Sequence, residues 1–134
     1  MKTLNILLMT AAIAVAKPAK VADSFQSGVG KIREGYLNIQ LALANDDFQK
    51  SRTAAESLTV VIKKIHAGDL KAETKSRWDS SSAGLLKALN PMASAKDIEA
   101  LRSNFKALTP CVVGAIEKFG AKPAASAYLF DFIC

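Results

Sequence analysis

An all-α fold, an up-and-down four-helix bundle with a short strand-like tail at its C-terminus, is what this sequence predicts, and three observations lead to it. Four stretches repeat apolar residues at alternating steps of three and four, the spacing that lines one side of a helix. The breaks between them are short and hold turn or capping residues, which makes consecutive helices antiparallel neighbours. The 134 residues are half hydrophobic and 22% charged, with only 7 Gly and 4 Pro. Such a chain holds one core and is too apolar to stay unfolded.

The N-terminus reads as a secretory signal peptide over residues 1–16. Lys2 supplies the positive start, Leu4 to Ala16 is an uncharged stretch of 13 residues, and Ala14-Val15-Ala16 has the small-x-small pattern of a cleavage site. As a helix that stretch is about 20 Å long, short of the roughly 30 Å of a bilayer core, so cleavage is expected rather than anchoring. Cleavage after Ala16 leaves Lys17 first, with no Cys there to take a lipid. A segment over 17–23 then leads into a helical domain over 24–134, placed in the periplasm or outside the cell without stable membrane insertion.

The first helix is expected to start at an Asp23 or Ser24 cap, with Phe25, Val29, Ile32, Tyr36, Ile39 and Leu43 on one side. Gly28, Gly30 and Gly35 lie within it at up to about 1 kcal/mol each, which predicts frayed first turns. Asn45-Asp46-Asp47 ends it. The second runs from about Asp47 to His66 on a stripe of Phe48, Ser51, Ala55, Leu58, Ile62 and Ile65, with Gly68 as its C-terminal cap. The third spans about Leu70 to Leu89. Thr74, Trp78, Ser81, Leu85 and Leu89 keep the spacing there, the polar run Asp79 to Ser82 dilutes it, and Asn90-Pro91 stops it.

The fourth helix opens on Ser94-Ala95-Lys96-Asp97, read as a capping box with Asp97 in the third helical position. Its stripe is Ile98, Leu101, Phe105, Leu108, Val112, Ile116 and Phe119, and Gly120 closes it. Pro110 interrupts the pattern, which predicts a kink or a restart with Thr109 as cap. After Lys122-Pro123 the period falls to two, with Tyr128, Phe130 and Phe132 alternating with Leu129, Asp131 and Ile133, as in a strand or extended tail.

The chemistry-bearing residues are few. His66 is the only histidine, which excludes a multi-histidine metal site, and its place suits the dipole at the end of the second helix. No nucleophile elbow, phosphate loop, zinc-type cysteine pair or calcium loop is present. Ser80 to Ser82 reads as a solvated helix face, Asp46 and Asp47 as caps, and Trp78, Phe48, Phe105 and Phe119 as core. The expectation is a protein that is not an enzyme. Removing residues 1–16 takes away Lys2 and no acid, so the formal charge goes from +6 to +5. Those charges are scattered and not interleaved with aromatics, which argues for solubility and against nucleic-acid binding. Cys111 and Cys134 leave three readings open: a disulfide closing a 24-residue loop, worth about 3 kcal/mol, two separate structural thiols, or a metal-related role for Cys134.

Two stretches carry a resemblance. Tyr36-Leu37-Asn38-Ile39-Gln40-Leu41-Ala42-Leu43-Ala44-Asn45-Asp46-Asp47, followed by the helix through Ala54, Ala55 and Leu58, resembles domain-of-unknown-function family 3347. So does Ala95-Lys96-Asp97-Ile98 through Leu108, where the spacing of Arg102, Phe105 and Leu108 is the most specific part. The likeness covers about residues 30–134. It implies an exported helical domain of the kind found alone or fused to periplasmic adaptors of copper and heavy-metal efflux. In that family an aromatic strand leads into a Cys-Pro-Met motif. Here Ala127 to Cys134 looks like its start, with Cys134 as its cysteine and without the Pro and Met. The resemblance thus implies copper as the metal, Cys134 as its ligand, and metal-efflux or other envelope proteins as partners. The alternative is a structural or protein-interaction domain whose last segment docks a partner.

Overall fold

The computed structural model of the chain describes residues 19–121. Within them lie four helices, α1 (Ala19–Ala44), α2 (Phe48–Lys64), α3 (Ala72–Ala93) and α4 (Ile98–Phe119), and no strand. Helices α1 and α3 each pack against both α2 and α4, so the four close into a ring, the expected up-and-down bundle. One end of the bundle holds the connections 45–47 and 94–97; the other holds the connection 65–71 and the end of α4. The signal peptide and the strand-like tail expected from the sequence lie outside the described residues.

The stripes meet in one core. Phe25, Val29, Ile32, Ile39 and Leu43 of α1 are buried there, with Leu58 and Ile62 of α2. From the other half come Trp78, Leu85 and Leu89 of α3 and Leu101, Leu108 and Val112 of α4. Tyr36, Phe48, Phe105 and Phe119 pack on the rim of the core, half-covered.

The expected fraying at the α1 glycines does not occur, and α2 shows why. A Cβ on Gly28 would lie 2.9 Å from Ile65 Cγ1, and one on Gly35 would lie 2.8 Å from Leu58 Cδ1. Both glycines sit where α2 approaches α1 closely, seven residues apart on one face. Buried Ala42 and buried Ser51 continue the same seven-residue steps along the two helices. The close approach offsets the low helix propensity of glycine.

Several helix ends differ from expectation. Helix α1 begins at Ala19, ahead of the Asp23 or Ser24 cap. Helix α2 ends at Lys64 with Ile65 as its cap, so Gly68 caps nothing. Helix α3 runs through Pro91 to Ala93 because the next residue, Met92, is fully buried. Burying that side chain is worth about 1.5–3 kcal/mol, more than the roughly 1 kcal/mol of the single hydrogen bond Pro91 forgoes in the last turn. Asp97 is the N-cap of α4 itself and not its third residue, since its side chain accepts from the Ala100 N–H, while Ser94 caps the end of α3. Helix α4 continues through Pro110 from Ile98 to Phe119. Buried Leu108, Val112 and Ala115 hold both halves to the same core. Thr109 does not cap. Its hydroxyl donates to Phe105 O at 3.1 Å and shares a 2.8 Å hydrogen bond with the Tyr36 hydroxyl.

Candidate functional site

The two hairpins are built on one plan. Asp47 caps α2 by accepting from Lys50 N at 3.0 Å, and Asp97 caps α4 by accepting from Ala100 N at 2.9 Å. Five residues after each aspartate stands an arginine that crosses to the other hairpin. Arg52 donates to Ala93 O, at the end of α3, at 2.8 Å; Arg102 donates to Leu43 O, in the last turn of α1, at 2.9 Å. Each supplies a cation and a donor at a helix C-terminus, where Leu43 O also accepts from Asp46 N at 3.0 Å. Arg52 also lies over the Phe48 ring at 5.7 Å, with its Nε buried and unpartnered.

The same Nη2 of Arg102 that reaches Leu43 O also donates to Asp46, whose backbone takes the left-handed conformation (φ 54°), and Nη1 donates to Glu99 at 3.0 Å. The hydrogen bond it donates to Asp46, opposed in part by desolvation, raises the Arg102 guanidinium above the usual arginine range. A raised cation contributes stability below its unfolded value and loses it only as pH climbs through the folded one. For arginine that window lies above any working pH. This end of the bundle is a structural clamp, in which Arg102 is committed to Asp46 and Glu99 of the same molecule.

The opposite end is built from aromatic rings and an open groove. Phe25, Trp78 and Phe119, from α1, α3 and α4, meet edge to face with centroids 5.2, 5.4 and 5.7 Å apart. Edge-to-face contact sets the positive rim of one ring on the negative face of the next. Gln26 Nε2 donates to Phe119 O at 3.0 Å. Gly120, at φ 77°, then turns the chain over α1, and a Cβ there would lie 2.6 Å from Gln26 Nε2. Beside the rings, between α1 and α2, lies a groove of about 340 Å³. Phe25, Gly28, Val61 and Ile65 give it apolar walls, and Lys31, Lys64 and His66 add positive or polar ones.

The candidate site residues fall at separate places. His66 stands two residues past the end of α2, not in its last turn, exposed and 4.0 Å from Asp69. Cys111 is half-buried, with its Sγ 3.8 Å from Gly84 O and 3.7 Å from Ala107 O. Ser82 donates to Asp79 O at 3.2 Å on an exposed face. Trp78 is buried in the core as expected. Cys134, the expected metal ligand, lies outside the described residues, and with it any pairing to Cys111. Among the described residues no group of three or more His, Cys, Asp or Glu is placed to hold a metal ion, and no helix is long and apolar enough to cross a membrane.

The sequence did not reveal that Arg52 and Arg102 cross between the hairpins. The available signal was the matched pair Asp47 with Arg52 and Asp97 with Arg102, the same spacing repeated after each turn.

No curated protein and no solved structure matches the chain. A family model described as Protein of unknown function (DUF3347) matches residues 32–124. That span runs from the middle of α1 through the end of α4 and takes in both capping aspartates and both clamping arginines. The chain therefore belongs to the DUF3347 family, as the Ala-Lys-Asp-Ile stretch and the Arg102 spacing led one to expect.

Proposed function

We propose that the chain is an exported, non-catalytic accessory of copper or heavy-metal handling. In this reading the bundle is a rigid carrier and the segment 122–134, with Cys134, is the part that meets metal. The observation behind it is how α4 ends. The aromatic cluster and the bond from Gln26 fix Phe119, so the following segment leaves from a firm platform at the end away from the arginine clamps. Cu(I) favours two or more soft ligands. Met92 is sealed in the core and half-buried Cys111 faces backbone carbonyls, so neither is well placed to join Cys134. In this reading the second soft donor beside Cys134 is neither Met92 nor Cys111, and the Cys134 of another molecule or an efflux partner can supply it.

The test is a Cu(I) titration against a competing chelator under reducing conditions, on the wild type, Cys111→Ser and Cys134→Ser. Retention that disappears in Cys134→Ser alone supports the reading. Tight binding that survives Cys134→Ser assigns the metal to other residues. Absence of binding in all three leaves the second reading, a structural or protein-interaction domain without metal function. Export is checked by intact mass, which should begin at Lys17; a mass that still includes Lys2 rejects it.

A further inference from the structure

We infer that the groove between α1 and α2 is the docking site for this chain's own aromatic segment, residues 128–132. Adjacency is the first argument. Phe25 lines the groove and also touches the Phe119 ring, and Gly120 turns the chain toward α1 at that place. Reach is the second. From Ala121 to Tyr128 the extended backbone covers about 23 Å at 3.3 Å per residue, enough to cross a helix about 10 Å wide.

Chemistry is the third argument. The period of two gathers Tyr128, Phe130 and Phe132 on one side of the segment, a row of rings suited to walls made by Phe25, Gly28, Val61 and Ile65. Asp131 is the one acid in the run. Lys31 and Lys64 border the groove and take no part in an ion pair among the described residues, so the charges complement each other. The larger groove between α2 and α3 fits less well. It already has Glu56 beside Lys63 and Lys87, and it shares no residue with the aromatic cluster from which the segment departs. The docking is independent of metal, so it and the copper reading fail separately.

The experiment attaches a nitroxide to Cys134 in full-length, metal-free Cys111→Ser protein and measures paramagnetic broadening of backbone amide signals. Docking in cis predicts loss of intensity at Ser27, Gly28, Lys31 and Val61, with Asp46 and Arg102 at the other end unaffected. Diluting the labelled chain with unlabelled isotope-enriched chain should transfer no broadening. Adding Tyr128→Ser and Phe130→Ser should restore the groove signals, with the unchanged amide signals of Asp46 and Arg102 as the check that the bundle is still folded. Overturning results are intensity loss elsewhere, loss seen only between different molecules, loss that survives both serine substitutions, or no loss at all.

Discussion

At Gly35 two effects of a single methyl group oppose each other. Alanine gains about 1 kcal/mol of helix propensity, but its Cβ would lie 2.8 Å from Leu58 Cδ1 and 3.3 Å from Leu58 Cβ. Leu58 is fully buried and has little room to yield. Overpacking costs about 1–3 kcal/mol, so Gly35→Ala should lose roughly 1 kcal/mol net. Gly84 and Gly114 have nothing within 4 Å of the same position, and alanine there should add about 0.5–1 kcal/mol. Urea unfolding of the three variants checks the signs. A stabilised Gly35→Ala would mean that α1 and α2 do not approach as closely as described.

On the scale of elements, prolines show which forces decide where a helix ends. Pro110 is exposed in the middle of α4 and removes the bond to the carbonyl of Lys106, yet the helix passes through it. Pro110→Ala restores that bond without touching the core and should stabilise the fold by about 1–3 kcal/mol. Pro91→Ala, in the last turn of α3, should gain less. Paired denaturation curves would decide, and equal gains would count against the argument from position.

The same elements show what the sequence makes legible. The stripes were readable because burial follows the helical period, as Val29, Ile32, Leu85 and Leu108 show. The boundaries were not: the signals at Pro91 and Pro110 were outweighed by the burial of Met92 and Val112, which depends on the partner helices, and α2 stops at Lys64, ahead of Gly68. Of the candidate site, Trp78 was foreseen as core. The groove and the arginine clamps were not, since they join residues far apart in the chain, such as Lys31 with Val61 and Arg52 with Ala93.

For the whole molecule, the aromatic cluster is where three helices are tied together at one end. Phe119→Ala removes a ring that packs against both Phe25 and Trp78, and should cost about 3 kcal/mol or more. It should also weaken the near-ultraviolet dichroism of Trp78 and move its emission to longer wavelength. A variant as stable as the wild type, with unchanged emission, would place the cluster outside the cooperative core. The exchanged arginines at the other end have a consequence in time. Each hairpin has its own cap and can form from local contacts, but Arg52 and Arg102 find their carbonyls only after the hairpins have met. Interactions absent from the transition state govern the rate of escape from the native state and leave the rate of arrival nearly unchanged. Arg52→Ala, at about 1–2 kcal/mol, should therefore accelerate unfolding roughly 5–30-fold while the refolding arm of its chevron overlays the wild type. What these two side chains confer is then persistence: a folded lifetime set by how seldom two separate hydrogen bonds at one end let go together.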